Sequence, residues 1–181
     1  MEKKINSYEG VVVFASRLSA NVPKWIYKKN KKIRVIFWYS NPINKSVNPK
    51  KVFEKYCKKW SFDEQDCLKY NLQRNTQYFY KKILVQRNTI KYDVFFLGNE
   101  KGRGEILEKL AEEFISMGIK FYFHIVRDKT SSGKFEYKAP LKYEKVLDYI
   151  SQSNAILEIM QNGQNGLTLR PLEALFLNKK F

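Results

Sequence analysis

The sequence predicts an α/β chain built on parallel sheets, in two domains. Three observations lead there. Short runs of apolar, β-branched and aromatic residues recur, such as Val11-Val12-Val13-Phe14, Ile33-Arg34-Val35-Ile36-Phe37-Trp38-Tyr39 and Tyr92-Asp93-Val94-Phe95-Phe96-Leu97. Continuous apolar runs of this length are the pattern of buried parallel strands. Helical stretches lie between them, and strict strand–helix alternation argues for parallel pairing with helices on the sheet faces. The alternation breaks once, in the basic and polar residues 81–91, which carry no helical stripe. The expected division is therefore 1–84, a linker at 85–91, and 92–181.

In the first domain, residues 11–16 form the first expected strand. Ser19 or Asn21 is placed to cap the helix over 21–30, with Pro23 in its first turn, where a missing N–H costs nothing, and the lysines at its end suit the helix dipole. A strand over 33–39 leads into the turn-forming residues Ser40-Asn41-Pro42-Ile43-Asn44. A basic loop and a short helix near 49–57 follow, then a brief strand at 59–62. Asp63, with Asp66 three residues on, resembles a capping box that opens a helix at 64–70. Residues 76–80 are expected as a further strand.

In the second domain, strand 92–97 passes through the glycine-rich turn Gly98-Asn99-Glu100-Lys101-Gly102-Arg103 into the most regular helix of the chain, 104–117. Ile106, Leu107, Leu110, Ala111, Phe114 and Ile115 recur there at helical spacing, and Gly118 is its stop. Strand 120–126, a polar loop to 138, helix 143–151 with Val146, Leu147 and Ile150 inward, and strand 155–160 complete the order. A polar loop, Gln161-Asn162-Gly163-Gln164-Asn165-Gly166-Leu167-Thr168-Leu169-Arg170, then opens a last helix patterned by Leu172, Leu175 and Phe176.

The chain has 34 Lys and Arg against 18 Asp and Glu, a net charge of +16, and 44% of its residues are hydrophobic. That composition supports a core and excludes a disordered chain. The basic surplus serves three readings: solvated faces, an anionic membrane surface, or nucleic acid. No apolar run approaches the roughly 20 residues of a membrane span, and the first residues lack the apolar stretch of a signal peptide. Cys57 and Cys67 match neither a redox pair nor a metal knuckle and are expected as reduced thiols of a cytoplasmic protein. With a single histidine, His124, inside the apolar run 121–126, a zinc site is not expected, and His124 is read as a satisfied core or sheet-face residue.

In a doubly wound sheet, ligands bind beyond the carboxyl ends of the strands. The turn at 98–103 and the loop at 161–170 both lie at such ends and are expected to converge. Each either is an ordinary strand–helix connection or offers main-chain N–H groups to an anion. The turn matches neither the dinucleotide fingerprint nor a Walker sequence, yet Lys101 and Arg103 suit a diphosphate as a charge and a bidentate fork. Carboxylates near strand ends are Asp63, Asp66, Asp93 and Asp128. Asp63 reads first as a helix cap and is the weak catalytic candidate.

The run Gly166-Leu167-Thr168-Leu169-Arg170-Pro171-Leu172-Glu173-Ala174 resembles the donor-site segment of GT-B fold glycosyltransferases. Trp38-Tyr39-Ser40-Asn41-Pro42, Trp60-Ser61-Phe62-Asp63-Glu64-Gln65-Asp66-Cys67 and Asp93-Val94-Phe95-Phe96-Leu97-Gly98 are similar to those of the members in bacterial capsule and lipopolysaccharide-core biosynthesis. The resemblance implies two Rossmann-like domains facing a cleft. It implies that Glu173 holds the ribose of a nucleotide-sugar, that Gly98, Lys101, Arg103, Gly166, Leu167, Thr168 and Arg170 surround the donor, and that Asn41 and Asp63 line the acceptor side. Asn165 stands where the family has a first glutamate. Against that family both domains are short, and the second ends at Phe181, where another strand and returning helices are expected.

The leading expectation is a metal-independent glycosyltransferase without a bound cofactor. It would take a nucleotide-sugar to a saccharide or lipid-linked acceptor, from the cytoplasm or the inner membrane face. The alternatives are a non-catalytic remnant or accessory subunit of the same fold, and a basic nucleic-acid-binding α/β protein.

Overall fold

The computed structural model describes residues 2–79, 83, 85, 88–162 and 164–181, without the side chains of 2–4. The chain divides into two compact units, Met1–Gln77 with Gly163–Leu167, and Tyr78–Asn162 with Thr168–Phe181. The linker expected at 85–91 lies partly outside the described residues, as does Tyr80 of the strand expected at 76–80.

The first unit holds, among the described residues, a parallel sheet of strands β1 (Gly10–Phe14), β2 (Arg34–Tyr39), β3 (Lys58–Ser61) and β4 (Gln73–Arg74), adjacent in chain order. Helix α1 (Val22–Lys29) joins the first pair and α2 (Glu64–Tyr70) the last. A chain that steps in one direction with right-handed crossovers lays every connection on the same face. The core obeys this: Val13, Val35, Phe37 and Tyr39 of the strands meet Ile26 of α1, Ile43, Val47 and Val52 of the β2–β3 connection, and Cys67 of α2. On the opposite face stand Val12, Ile36, Trp38 and Trp60, with Val12 paired to Ile36 and Trp38 to Trp60. β1 is thus covered on one face only, and Val12 is 55% exposed; sequential strand order, which no local pattern encodes, is the reason. The helix expected near 49–57 is instead two 3₁₀ turns, Pro49–Lys51 and Glu54–Tyr56. The strand expected at 76–80 is replaced by β4 three residues earlier, because Trp60 and Ser61 pair with Gln73 and Arg74.

The second unit holds β5 (Tyr92–Asn99), β6 (Phe121–Val126) and β7 (Ser153–Ile156), parallel, in the order β6-β5-β7. Helix α3 (Gly104–Ser116) leads from β5 to β6, α4 (Tyr143–Ser151) leads back past β5 to β7, and α5 (Arg170–Phe176) follows. The reversal of direction puts α3 and α4 on opposite faces. Phe96 packs with Leu107 and Ile125 on one face; Phe95 packs with Val146, Ile150, Ile156 and Ala174 on the other. β7 starts two residues before its expected position and ends at Ile156, and Ile156 N–H bonds to the Lys180 carbonyl. On α5 the inward residues are Glu173 and Ala174, whereas Leu175 and Phe176 are 72% and 51% exposed. The apolar spacing there marks the outer face, because the helix turns a carboxylate inward.

Candidate functional site

In the second unit β5 exits toward α3 on one face, and β7 is followed by α5, whose Ala174 packs on the other. Adjacent strands whose connections part in this way open a crevice beyond their carboxyl ends, the usual ligand position in such sheets. Its walls are the turn after β5 and the residues around Glu158, Thr168 and Arg170.

The turn is organised by two buried charges. Glu100 is 1% exposed. Its carboxylate accepts from the main-chain N–H of Ser132 at 3.0 and 3.2 Å and from the Tyr137 hydroxyl at 2.6 Å. Burial works to raise its pKa, and the hydrogen bonds from Tyr137 and Ser132 outweigh it, so the carboxyl titrates below the usual glutamate value. Arg103, 8% exposed, donates from Nε to the Glu100 carbonyl at 3.1 Å, and from its terminal nitrogens to the carbonyls of Asn99 and Ile159. Its guanidinium also lies 5.2 Å from the Phe96 ring centre. Burial lowers the Arg103 pKa, while Glu158 and Asp128 hold the charged form.

The glycines fit these two side chains. A Cβ on Gly104 would lie 2.5 Å from a Glu100 carboxylate oxygen, and one on Gly98 would lie 2.9 Å from an Arg103 nitrogen. Lys101 and Gly102 follow in the left-handed region, at φ 50° and 73°. The Lys101 N–H donates to Asp128 at 2.8 Å. Despite burial, the bonds from Thr130 and Lys101 lower the Asp128 pKa. The Lys101 side chain is exposed. The head of α3 has no side-chain cap hydrogen bond, and the buried Glu100 carboxylate lies beside its first residue, Gly104, at the positive end of the helix dipole.

On the opposite wall, the Thr168 hydroxyl donates to Glu158 at 2.7 Å and accepts from the Arg170 N–H at 3.1 Å. Glu173 is fully buried; Arg170 ion-pairs with one of its oxygens, and the other has no partner among the described residues. The Tyr143 hydroxyl sits against Glu173, just short of strict hydrogen-bond geometry; burial, the Glu173 charge and hydrogen bonding to Glu173 raise its pKa.

The two loops expected to converge divide between the units. Arg103 joins the turn to Ile159, and Thr168, Arg170 and Glu173 belong to the same unit, but Gly166 and Leu167 belong to the first. There the N–H groups of Asn165 and Gly166 donate to Asp63 at 2.9 and 3.3 Å, and Gly166 packs so closely on Phe62 that a Cβ would meet its ring at 2.4 Å. The Gly166 N–H is therefore engaged within the protein, contrary to the expectation that it faces a donor. Asp63, 2% exposed, also caps α2 through the Asp66 N–H at 3.1 Å. Both its oxygens accept main-chain N–H groups, so it serves as a cap and loop anchor. The capping box is one-sided, since the Asp66 side chain accepts from the Ile43 N–H at 2.8 Å instead; burial raises the Asp66 pKa. Asn41 is exposed past the carboxyl end of β2. His124 is satisfied in the core, with Nε2 2.8 Å from the Ala139 carbonyl and Nδ1 3.3 Å from the Tyr122 hydroxyl.

Sequence reasoning missed Glu100, Glu158 and Tyr143. A lone charge inside Ile156-Leu157-Glu158-Ile159 and an acid between closely spaced glycines were the available signals for the first two; nothing in the sequence pairs Tyr143 with Glu173. Among the described residues no three His, Cys, Asp or Glu side chains are grouped to hold a metal ion, and no helix is long and apolar enough to cross a membrane.

No family model and no curated protein matches the chain. A solved structure does: the crystal structure of the DNA-modifying enzyme β-glucosyltransferase, determined with and without its substrate uridine diphosphoglucose. It matches with a TM-score of 0.50 at 16% identity, over 93% of this chain and 59% of that one. This chain thus spans about three fifths of the enzyme's length. The likeness is one of fold, and the parallel α/β architecture resembles that of a glucosyltransferase.

Proposed function

We propose that the chain binds a nucleotide-sugar in the crevice of the second unit and transfers its glycosyl group. The observation that carries this reading is Glu173, a carboxylate turned inward on α5, with one oxygen held by Arg170 and the other beside the Tyr143 hydroxyl. A ribose in the crevice would offer that oxygen its vicinal hydroxyls in place of Tyr143. Arg170, already on Glu173, and the exposed Lys101 meet the diphosphate. Such groups stabilise a leaving diphosphate as its charge develops. Gly98 and Arg103 act as positioning residues, since the guanidinium is held by three carbonyls. The structural neighbour's substrate, uridine diphosphoglucose, and the GT-B resemblance of the sequence support the same class.

For the acceptor, the resemblance to capsule and lipopolysaccharide-core enzymes favours a saccharide or lipid-linked saccharide, with Asn41 among the residues on the acceptor side. The net charge of +16 would then hold the protein at the anionic inner face of a membrane. DNA is the second reading, favoured by the same charge and by the neighbour's action on DNA.

Calorimetric titration with UDP-, GDP- and CMP-sugars tests the donor site. One of them binds, and Glu173→Gln weakens it by about 1.4 kcal/mol or more, a factor of ten. No response to any of the three sinks the proposal; binding unchanged in Glu173→Gln rejects the site. Transfer assays with lipid-linked saccharide and with DNA separate the two acceptors, and a donor bound without transfer to either identifies a non-catalytic member of the fold.

A further inference from the structure

At the amino-terminal edge of the first unit's sheet, on the side away from the carboxyl ends of its strands, lies a cavity of about 620 Å³. Its size falls within the range of small-molecule sites, roughly 300–1,000 Å³. Gly10, Arg34 and Lys58, the first residues of β1, β2 and β3, form one side. Val12, Ile36 and Trp60 form its apolar wall, with Val12, Ile36 and Lys58 side by side in the strand register. Around the edge of the sheet, on its helix-bearing face, Tyr27 and Tyr56 line it as an edge-to-face pair with ring centres 5.2 Å apart.

The charge around this cavity is one-sided. Lys31, Arg34, Lys55 and Lys58 line it, and none of the four meets a carboxylate among the described residues. The single acidic lining residue, Glu54, pairs with Lys59 at 3.3 Å. The Lys31 and Lys55 ammonium groups each lie 5.9 Å from the Tyr27 ring centre. The cavity thus combines aromatic and apolar walls with unopposed cations. A small inorganic anion would use only the cations, and a neutral apolar molecule only the walls. A ligand that uses both has a flat ring to lie on aromatic side chains and phosphates to meet lysine and arginine.

We propose that this cavity is a nucleoside-phosphate site on the uncovered face of the sheet, with the base against Val12, Ile36 and Trp60 and the phosphates on Arg34 and Lys58. It is separate from the crevice of the second unit and does not rest on the donor reading. The same chemistry is offered by a free nucleotide and by a residue of a single-stranded nucleic acid. The test uses tryptophan fluorescence, because Trp60 lines the cavity and all three tryptophans, Trp25, Trp38 and Trp60, belong to the first unit. ADP, short oligothymidylates and inorganic pyrophosphate are titrated into the full chain.

Nucleotide or oligonucleotide quenches the emission. The quench disappears in Trp60→Phe, and the double variant Arg34→Glu with Lys58→Glu weakens binding about tenfold or more and flattens its salt dependence. Both charge-reversed residues are exposed, so that variant keeps its fold, which circular dichroism checks. Oligothymidylate binding much tighter than ADP identifies nucleic acid as the source; equal affinities identify the free nucleotide. Three results overturn the proposal: no quench up to about 1 mM of either probe, binding untouched by the double charge reversal, or pyrophosphate binding as tightly as ADP.

Discussion

The guanidinium of Arg103 donates to the carbonyl oxygen of Ile159, 56 residues away, and so joins the exit of β5 to the exit of β7. With its bonds to the Glu100 and Asn99 carbonyls it fixes both walls of the crevice. Arg103→Lys replaces a planar fork by a point charge that cannot reach all three oxygens. We expect a loss of about 2–4 kcal/mol, from buried carbonyls left without donors, read by urea denaturation. Nucleotide-sugar affinity should fall with it.

Glu100 sets an acid limit on the second unit. Its folded pKa lies below the ordinary value of 4.5, and the Asp128 pKa lies below 3.8. The unfolded chain therefore binds these protons more readily than the folded one. Their stabilisation is fully present above the ordinary carboxylate range and is lost as pH falls through the lowered values. Thermal melts should show a midpoint that drops below about pH 4.5. Glu100→Gln should melt lower at neutral pH and show a flatter acid dependence; an unchanged acid limb would assign it to other carboxylates.

Two glycines of the turn should respond to alanine for different reasons. Gly104→Ala gains up to about 1 kcal/mol of helix propensity, but its methyl would lie 2.5 Å from Glu100. The crowding should prevail by about 1–3 kcal/mol. Gly102→Ala meets nothing within 4 Å, yet its φ of 73° costs an L-residue about 1–2 kcal/mol. Adding Glu100→Ala should relieve the first variant and leave the second unchanged, a cycle measurable by chemical denaturation.

Asp63 receives N–H groups from Asp66, Asn165 and Gly166. Asp63→Ala removes a helix cap and leaves two further donors unmet, for about 2–3 kcal/mol in the first unit. Any loss of transfer activity should track that loss of stability. Full stability with abolished activity would restore Asp63 as a catalytic candidate.

Cys57 and Cys67 are free and buried. Burial pushes the Cys57 thiol up to about 11, and raises Cys67 as well. Both should stay protonated and resist a disulfide reagent at pH 8 in the folded protein, and titrate as two thiols in urea.

Much of the fold was legible because strands and helices write their burial into adjacent residues. Helix α2 and helix α4 fall on their expected spans, and α3 differs only at its last residue, since the periodicity of Leu107, Leu110 and Phe114 and the stop at Gly118 are local signals. The short elements were not: β4 at Gln73–Arg74 exists only because Trp60 and Ser61 pair with it. In the site, glycines and charges of the turn were visible, but their partners were not. Gly98 and Gly104 leave room for Arg103 and Glu100, a fit that no local pattern names.

The sequence by itself determined the α/β class, the parallel pairing implied by strict alternation, the basic charge and the capping role of Asp63. Each follows from residues close together in the chain or from composition. Only the tertiary structure decided the strand order, and with it which faces carry helices and where a crevice opens. It also decided that Gly166 serves Asp63, that Arg103 serves Ile159, and that Glu173 is turned inward beside Tyr143. These depend on contacts between distant segments, whose partners are selected by packing and hydrogen-bond satisfaction and leave no periodic trace in the sequence.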